Sequence, residues 1–299
     1  MKNISATITD YSDSRRDRIL SLLESTGGWC SGESISALLG VSRAAVSKHV
    51  TALRALGHGI ESAPRRGYRL LVKADCLSKE SMAGLLTTKN FGKKTWQYLD
   101  ETTSTNKIAA LRAVDGEEEG GIVLAERQAA GRGKKGNAWH TPPRGIQLSA
   151  IFHPGIKDNI TETLTMLGTV AVAEAVSNLC LLQPRIKAPN DVMINGRKVC
   201  GVLVEVGLLA GDAAWAVLGI GCNVNALPSD FPPNLAPLAT SLLIESEKPV
   251  PRRELLAAIL ERVEFWYDYI QREEISKLKS RWACLQMADQ SARQPSKQQ

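Results

Sequence analysis

The chain lacks the usual residue arrangements of covalent and metal catalysis. Its six cysteines, at 30, 76, 180, 200, 222 and 284, include no Cys-x-x-Cys pair. Several sit in apolar runs, which argues against a zinc site or a disulfide framework and for reduced thiols. There are only four histidines, and none falls into a Ser-His-Asp or Cys-His arrangement. No stretch reaches the ~18 to 20 uncharged apolar residues of a membrane span. Met1 to Tyr11 has no continuous apolar segment of the signal-peptide kind, so the expected location is the cytoplasm, with no membrane partner. What remains is 299 residues at 43% hydrophobic content, enough for two domains with a sizeable core in the larger. The net charge of +6 permits a phosphate or nucleic-acid partner without requiring one.

The first seventy residues read as a small helical domain. Ile19, Leu22 and Leu23 have helical spacing, and Gly27-Gly28 ends that helix. Ser31 can cap a second helix with Ile35, Leu38 and Leu39 buried and Gly40 in the left-handed turn position. Ser42 can cap a third, in which Val46, Val50 and Leu53 form the inner stripe. Ile60 to Leu71 then suits a hairpin with Pro64-Arg65-Arg66-Gly67 at its tip. Helix-turn-helix followed by such a wing predicts DNA binding. Ser42, Arg43, Ala44, Ser47 and Lys48 would face the major groove, and Arg65 and Arg66 the neighbouring backbone or minor groove. A small domain with a solvated basic face, or one that binds protein, is the alternative.

Residues 73–79 read as a linker, after which strands and helices alternate: a helix near 79–86, a strand at Trp96–Leu99, a helix after Ser104 and a strand at Gly121–Glu126. Further strands are expected at Ile146–Phe152, Arg185–Lys187, Val199–Val206 and Ala214–Ile220. Long helices are expected at Thr161–Leu182 and Arg252–Gln271, the second with Leu256, Ile259, Leu260, Val263 and Trp266 inward. Hairpin-linked strands with segregated helices indicate an α+β domain over 80–282.

Within it, Gly131-Arg132-Gly133-Lys134-Lys135-Gly136 is a glycine-rich loop with three cations. Glycine allows close backbone approach, and Arg132 offers a planar fork of donors to a phosphate. Alone, the loop is equally a solvated hairpin tip or a nucleic-acid contact, and it does not match GxxxxGK[ST]. Its company is Ser104-Thr105-Asn106 upstream, then Lys187-Ala188-Pro189-Asn190-Asp191, Lys198-Val199-Cys200-Gly201 and Gly219-Ile220-Gly221-Cys222-Asn223 downstream. This ordered set resembles the biotin protein ligases, whose segments read STN, GRGRRG, KWPND, KxxG and GxGxN. The resemblance spans about residues 15 to 280. The N-terminal part narrows it to the bifunctional bacterial type, which also represses biotin synthesis genes.

The resemblance implies a class II synthetase-like mixed sheet with helices, following a winged helix-turn-helix. It implies that biotin and ATP, with Mg2+, form biotinyl-AMP, and that biotin passes to a lysine on the biotin carboxyl carrier domain of acetyl-CoA carboxylase. It assigns catalysis to Lys198, Arg132 and Lys187. Biotin would meet Ser104, Thr105, Asn106, Gln128, Gly131, Arg132, Gly133, Trp139, Lys198, Gly201, Leu203, Gly219 and Gly221. ATP or AMP would meet Arg132, Lys134, Lys135, Gly136, Lys187, Asn190, Lys198 and Asn223. Asn223, Asn190 and Asp191 would hold magnesium. Biotinyl-AMP would act as corepressor, promoting a homodimer on double-stranded operator DNA.

Read without the family, several of these residues have plainer roles. Ser104 and Thr105 could cap a helix, Gly201, Gly219 and Gly221 could mark bulges, and Pro189-Asn190-Asp191 could be a turn. The chain also departs from the family pattern. Ala188 stands where tryptophan is usual, and Cys200 and Cys222 stand at small or aliphatic positions. A third, small β-barrel domain is expected after a segment like Lys279-Ser280-Arg281-Trp282. Here residues 283–299 read as a polar, disordered tail, as do 1–14 at the other end. That keeps open a second reading, a biotin-adenylate-sensing regulator with weak or absent ligase activity. A lipoate-type ligase is a more distant third.

Overall fold

The computed structural model describes residues 15, 16, 18–55, 58–72, 75–154, 159–209 and 212–287. The segments 1–14 and 288–299 lie outside the described residues. The chain divides into two compact units between Cys76 and Leu77.

In the first unit, α1 includes residues 18–26, α2 is Gly32–Leu39 and α3 is Arg43–Ala55. Their ends follow local chemistry. Gly27 takes φ +60°, the Ser31 hydroxyl accepts from Ser34 N at 3.0 Å, and Gly40 is left-handed at φ +62°. Ser42 Oγ accepts from Ala45 N at 3.2 Å, capping α3. Ile19, Leu23, Ile35, Val46, Val50 and Leu53 make the core of this unit. Strands β1 (Gly59–Ala63) and β2 (Gly67–Val72) form the antiparallel wing. Cys30 and Tyr68 exchange backbone bonds of 2.8 and 2.9 Å, pinning the wing to the chain before α2. Gly67 has to be glycine: its φ is +94° and a Cβ would lie 2.1 Å from Cys30 O.

The second unit is a seven-stranded sheet in the order β3-β4-β5-β9-β8-β7-β6. The strands are β3 (Trp96–Thr102), β4 (Ile122–Gln128), β5 (Ile146–Phe152), β6 (Arg185–Lys187), β7 (Asp191–Ile194), β8 (Arg197–Leu209) and β9 (Asp212–Cys222). Only β3 and β4 pair in parallel. The helices are α4 (Thr105–Val114), α5 (Ile160–Cys180), α6 (Leu242–Ser246), α7 (Arg252–Gln271) and α8 (Ile275–Leu285).

Alternation along the strands gives the sheet two faces. Leu148, Ala150, Val202, Val204, Leu218 and Ile220 join α5 and α7 in the main core, whereas Val123, Ile151 and Val217 pack with Ala109 and Ala113 of α4. α5 has the length and mean hydropathy of a membrane span, but 67% of that window is buried inside the domain, so it is a core helix.

Three expectations need correction. Residues 79–85 form successive turns rather than a helix, because Gly84 takes φ +85° and breaks the run. β7 was not among the expected strands, and Asp191 was expected in a turn with Pro189 and Asn190, yet Asp191–Ile194 pairs with both β6 and β8. The structure continues beyond Trp282: Ala283 to Leu285 complete α8, and Met287 N donates to Ile186 O at 2.9 Å.

Candidate active site

On the α4 side of the sheet the central strands lose their side chains, and a cavity of about 160 Å³ opens there. Gly201, Gly219 and Gly221 share this face, and the β8–β9 register runs unbroken through them, so none marks a bulge. Each glycine makes room for a neighbour. A Cβ on Gly219 would lie 2.1 Å from Asn106 Oδ1, one on Gly221 2.5 Å from the Trp139 indole, and one on Gly201 3.1 Å from both Trp139 and Lys198.

One end of the cavity is a network of neutral hydrogen-bonding groups. Gln128 Oε1 accepts from Thr105 N at 2.8 Å and from Thr105 Oγ1 at 3.1 Å. Ser149 Oγ lies 2.6 Å from Asn106 Oδ1 and 2.8 Å from Thr105 Oγ1. Trp139 Nε1 donates to Gln147 Oε1 at 2.9 Å. Ser104 occupies the cap position of α4, but its hydroxyl makes no capping bond and lines the cavity. With Trp139 and Leu203 as walls, this end suits an uncharged ligand with a polar head and an apolar body.

The other end is cationic. Lys198 Nζ lies 2.6 Å from Asp191 Oδ1 and 5.3 Å from the centre of the Trp139 ring. Arg132 pairs with Glu205 at 2.8 Å. The loop carrying Arg132 and Lys134 is a miniature hairpin, closed by Trp139 N to Gly131 O at 2.8 Å and Gly133 N to Asn137 O at 2.7 Å. The Cys200 thiol is pushed up strongly by burial and then by Cys222, with Lys198 opposing weakly, so it acts here as a small apolar group.

The cavity is lined by Ser104, Thr105, Asn106, Gln128, Arg132, Gly133, Lys134, Trp139, Asn190, Asp191, Lys198, Gly201, Leu203, Gly219 and Gly221. Five expected residues are not part of that lining. Lys187 is exposed on β6, at the edge of the sheet. Lys135 and Gly136 form the exposed loop tip with φ +59° and +79°. Gly131 closes the hairpin, and a Cβ there would lie 2.7 Å from Trp139 O. Asn223 is buried, donating to Thr240 O at 2.9 Å. Gln147, Ser149 and Glu205 were not expected. Their signal was readable: each is a polar residue at period two inside an otherwise apolar strand.

In the first unit, Ser42, Arg43, Ala44, Ser47 and Lys48 are all exposed on one side of α3, opposite the buried Val46 and Val50. Arg43 reaches Glu33 at 2.8 Å, both largely exposed, a pair of little strength in water. Arg65 and Arg66 stand exposed at the wing tip. Arg66 lies 4.5 Å over the Trp29 ring, an anchor the sequence reading did not identify. His49 is held below its ordinary pKa by burial and then by Arg16, Arg15 and Lys48. Two of the other three histidines take structural bonds, His140 with Asp230 O and His153 with Glu117 O.

Residues 98–223 match the biotin/lipoate A/B protein ligase family, and residues 15–69 match an HTH domain. The bifunctional ligase/repressor BirA of Bacillus subtilis (strain 168) is 37% identical over 247 residues, covering 82% of this chain and 76% of the relative. The chain belongs to the bifunctional ligase/repressor family. Another member, from Escherichia coli (strain K12), is 28% identical over 266 residues, covering 89% of this chain and 80% of its own. Among solved structures, the biotin protein ligase from Aquifex aeolicus in complex with biotin and ATP matches with a TM-score of 0.58 and 26% identity. That match covers 65% of this chain and 79% of the other. Membership joins the two units in one family description, a ligase core and a DNA-binding domain.

Proposed function

We propose that the chain is an ATP-dependent biotin protein ligase and a biotin-responsive repressor. The observation that carries this is the cavity itself, a neutral hydrogen-bonding pocket continuous with a cationic end, in a chain with both ligase and HTH matches. A biotin carboxylate oxygen attacks the α-phosphorus of ATP, forming the mixed anhydride and releasing pyrophosphate. The carrier lysine amine then attacks the acyl carbon and releases AMP. The first step brings two anions together and needs their charge neutralised; in the second the neutral amine is itself the nucleophile and gives up a proton as AMP leaves, so no enzyme nucleophile is needed. Ser104, Thr105, Asn106 and Gln128 hold the ureido head. Trp139 and Leu203 flank the valeryl chain, and Lys198 lies between the carboxylate and the α-phosphate. Arg132 and Lys134 bring the loop to the phosphates.

The donor set near Lys198 suits magnesium carried chiefly by substrate phosphates and water. Asn190 and Asp191 offer oxygens on the cavity wall, while no cluster of three metal-binding side chains occurs among the described residues. When bound, the ion would neutralise phosphate charge; Asn190 and Asp191 would hold it there. The relatives, named as ligases, favour this reading over a regulator lacking transfer. A cytoplasmic location without a membrane partner, homodimerisation and corepression by biotinyl-AMP complete the proposal, and coupling between adenylate and DNA binding would be reciprocal.

The test is intact-mass spectrometry of an isolated biotin carrier domain incubated with the chain, biotin, ATP and magnesium. A biotin-sized shift is expected. Adenylate formation without the shift would point to the regulator, and indifference to biotin would overturn both readings.

For the DNA-binding face, Lys48→Ala and Arg65→Ala should each lower the salt slope of duplex binding by about 1, because each removes one phosphate contact. Fluorescence anisotropy across a salt series reads this directly. An unchanged slope in both variants would place the DNA elsewhere.

A further inference from the structure

Among the described residues, Glu205 is the one carboxylate bonded to both ends of the cavity. It stands on β8 two residues from Leu203 and four from Gly201, so all three share a face. Its Oε2 accepts from Asn106 Nδ2 at 2.9 Å and from Arg132 Nη2 at 3.0 Å, and its Oε1 lies 2.8 Å from the same Arg132 nitrogen. Asn106 belongs to the neutral end and Arg132 to the cationic loop.

We propose that Glu205 is a positioning residue that ties the Gly131–Gly136 loop to the floor of the cavity and fixes the orientation of Asn106. This rests on the cavity being the biotin and ATP site. Asn106 has two distinct amide faces. With Nδ2 held by Glu205 and by Leu203 O, its Oδ1 is turned to the Ser149 hydroxyl. A flipped amide would set two carboxylate or carbonyl acceptors against Oδ1, which costs a buried acceptor its partner. Arg132 is engaged only through Nη2 among the described residues, so Nε and Nη1 remain available to an arriving carboxylate or phosphate. Glu205 therefore anchors the guanidinium through one nitrogen and leaves the donors on the other two to an arriving ligand. Since Arg132 is about half exposed, the pair is a modest tether that substrate charge can compete with.

Two variants of the full chain separate the two duties. Glu205→Gln keeps a carbonyl acceptor for Asn106 but loses the charge facing Arg132, whereas Glu205→Ala loses both. Hydrogen exchange of the ligand-free protein is read at the amides of Gly133, Asn137 and Trp139, which close the loop hairpin. Exchange there should rise about threefold in both variants. Biotin affinity, measured by calorimetry without nucleotide, should fall about fivefold in E205A and stay within about twofold in E205Q. Loop exchange that fails to rise in either variant overturns the assignment, as does an equal loss of biotin affinity in both. If the unaltered chain binds no biotin, the site reading fails instead, while the exchange result still decides the tether.

Discussion

Replacing Lys198 by alanine is expected to slow adenylate formation by about 10²- to 10³-fold, the range found when one preorganised charge or donor is removed from a transition state. Biotin affinity without nucleotide should change far less, because in the proposed binding mode the ureido end meets Thr105, Asn106 and Gln128 rather than the lysine. The geometry supports a loss confined to the chemical step. Lys198 stands near the start of β8, directly after the Asn195-Gly196 turn, with its backbone bonded on both sides: N to Leu238 O and O from Thr240 N, each at 2.8 Å. Its ammonium is held by Asp191 at 2.6 Å. A fixed charge of this kind costs no reorganisation when negative charge moves onto the phosphorus oxygens, so it favours the transition state over the bound substrates. Pyrophosphate release in a single turnover, paired with calorimetry of biotin binding, separates the two quantities. An adenylation rate within a few-fold of the unaltered chain would return Lys198 to the status of a strand lysine beside a hairpin turn. Asp191→Asn is the companion test. It leaves the ammonium in place but unanchored and also weakens the carboxylate offered to magnesium, so a loss smaller than in Lys198→Ala that excess magnesium does not restore would assign the aspartate to positioning.

Much of the fold was legible because it is written in period and punctuation. β5, β6 and α7 lie at the bounds read from the sequence, since their apolar patterns and flanking turn residues leave little freedom. The three helix caps at Ser31, Gly40 and Ser42 likewise follow from local chemistry alone. The failures have a common cause in tertiary context. β7 is four residues long and its first residue shares the turn signal of Pro189-Asn190, which leaves only three apolar residues to mark a strand that pairing with β6 and β8 then completes. The 79–85 segment has helix-forming residues but contains Gly84 in a left-handed conformation. The site behaved in the same way. The glycine strip, the basic loop and Lys198 could be read from ordered motifs. The partners that hold them, Gln147 and Ser149 on β5 and Glu205 on β8, show only as polar residues in apolar strands, and what they hold becomes clear only when the register brings them to one face. Asn223 and Lys187 sit within recognisable motifs, yet the fold buries one and leaves the other on an edge strand.

Gly219→Ala should abolish measurable biotin binding at micromolar ligand and also lower the stability of the ligase unit, both for one reason. The added methyl would lie 2.1 Å from Asn106 Oδ1 and 2.8 Å from its Cγ, distances no real contact reaches. Asn106 is buried and bonded to Leu203 O, Glu205 and Ser149. It cannot swing away without leaving those groups short of a partner, and the strand cannot retreat because Gly219 pairs with Ser149 on one side and Leu203 on the other. Overpacking of this kind costs about 1 to 3 kcal/mol, and each buried polar group left unpaired adds about as much again. Thermal unfolding followed by circular dichroism reads the stability, and calorimetry reads the ligand. The decisive comparison is a double-mutant cycle with Asn106→Ala. If the clash is the cause, Gly219→Ala should cost little further stability once the amide is gone, giving a coupling of about 1 to 3 kcal/mol, as expected for residues in direct contact. Additive losses would mean that the glycine serves the backbone instead. Biotin binding should remain lost in the double variant, because restoring space for the strand does not restore the amide. The cycle thus separates the two roles of this face: glycine gives the room that Asn106 occupies, and Asn106 is proposed to meet the ligand.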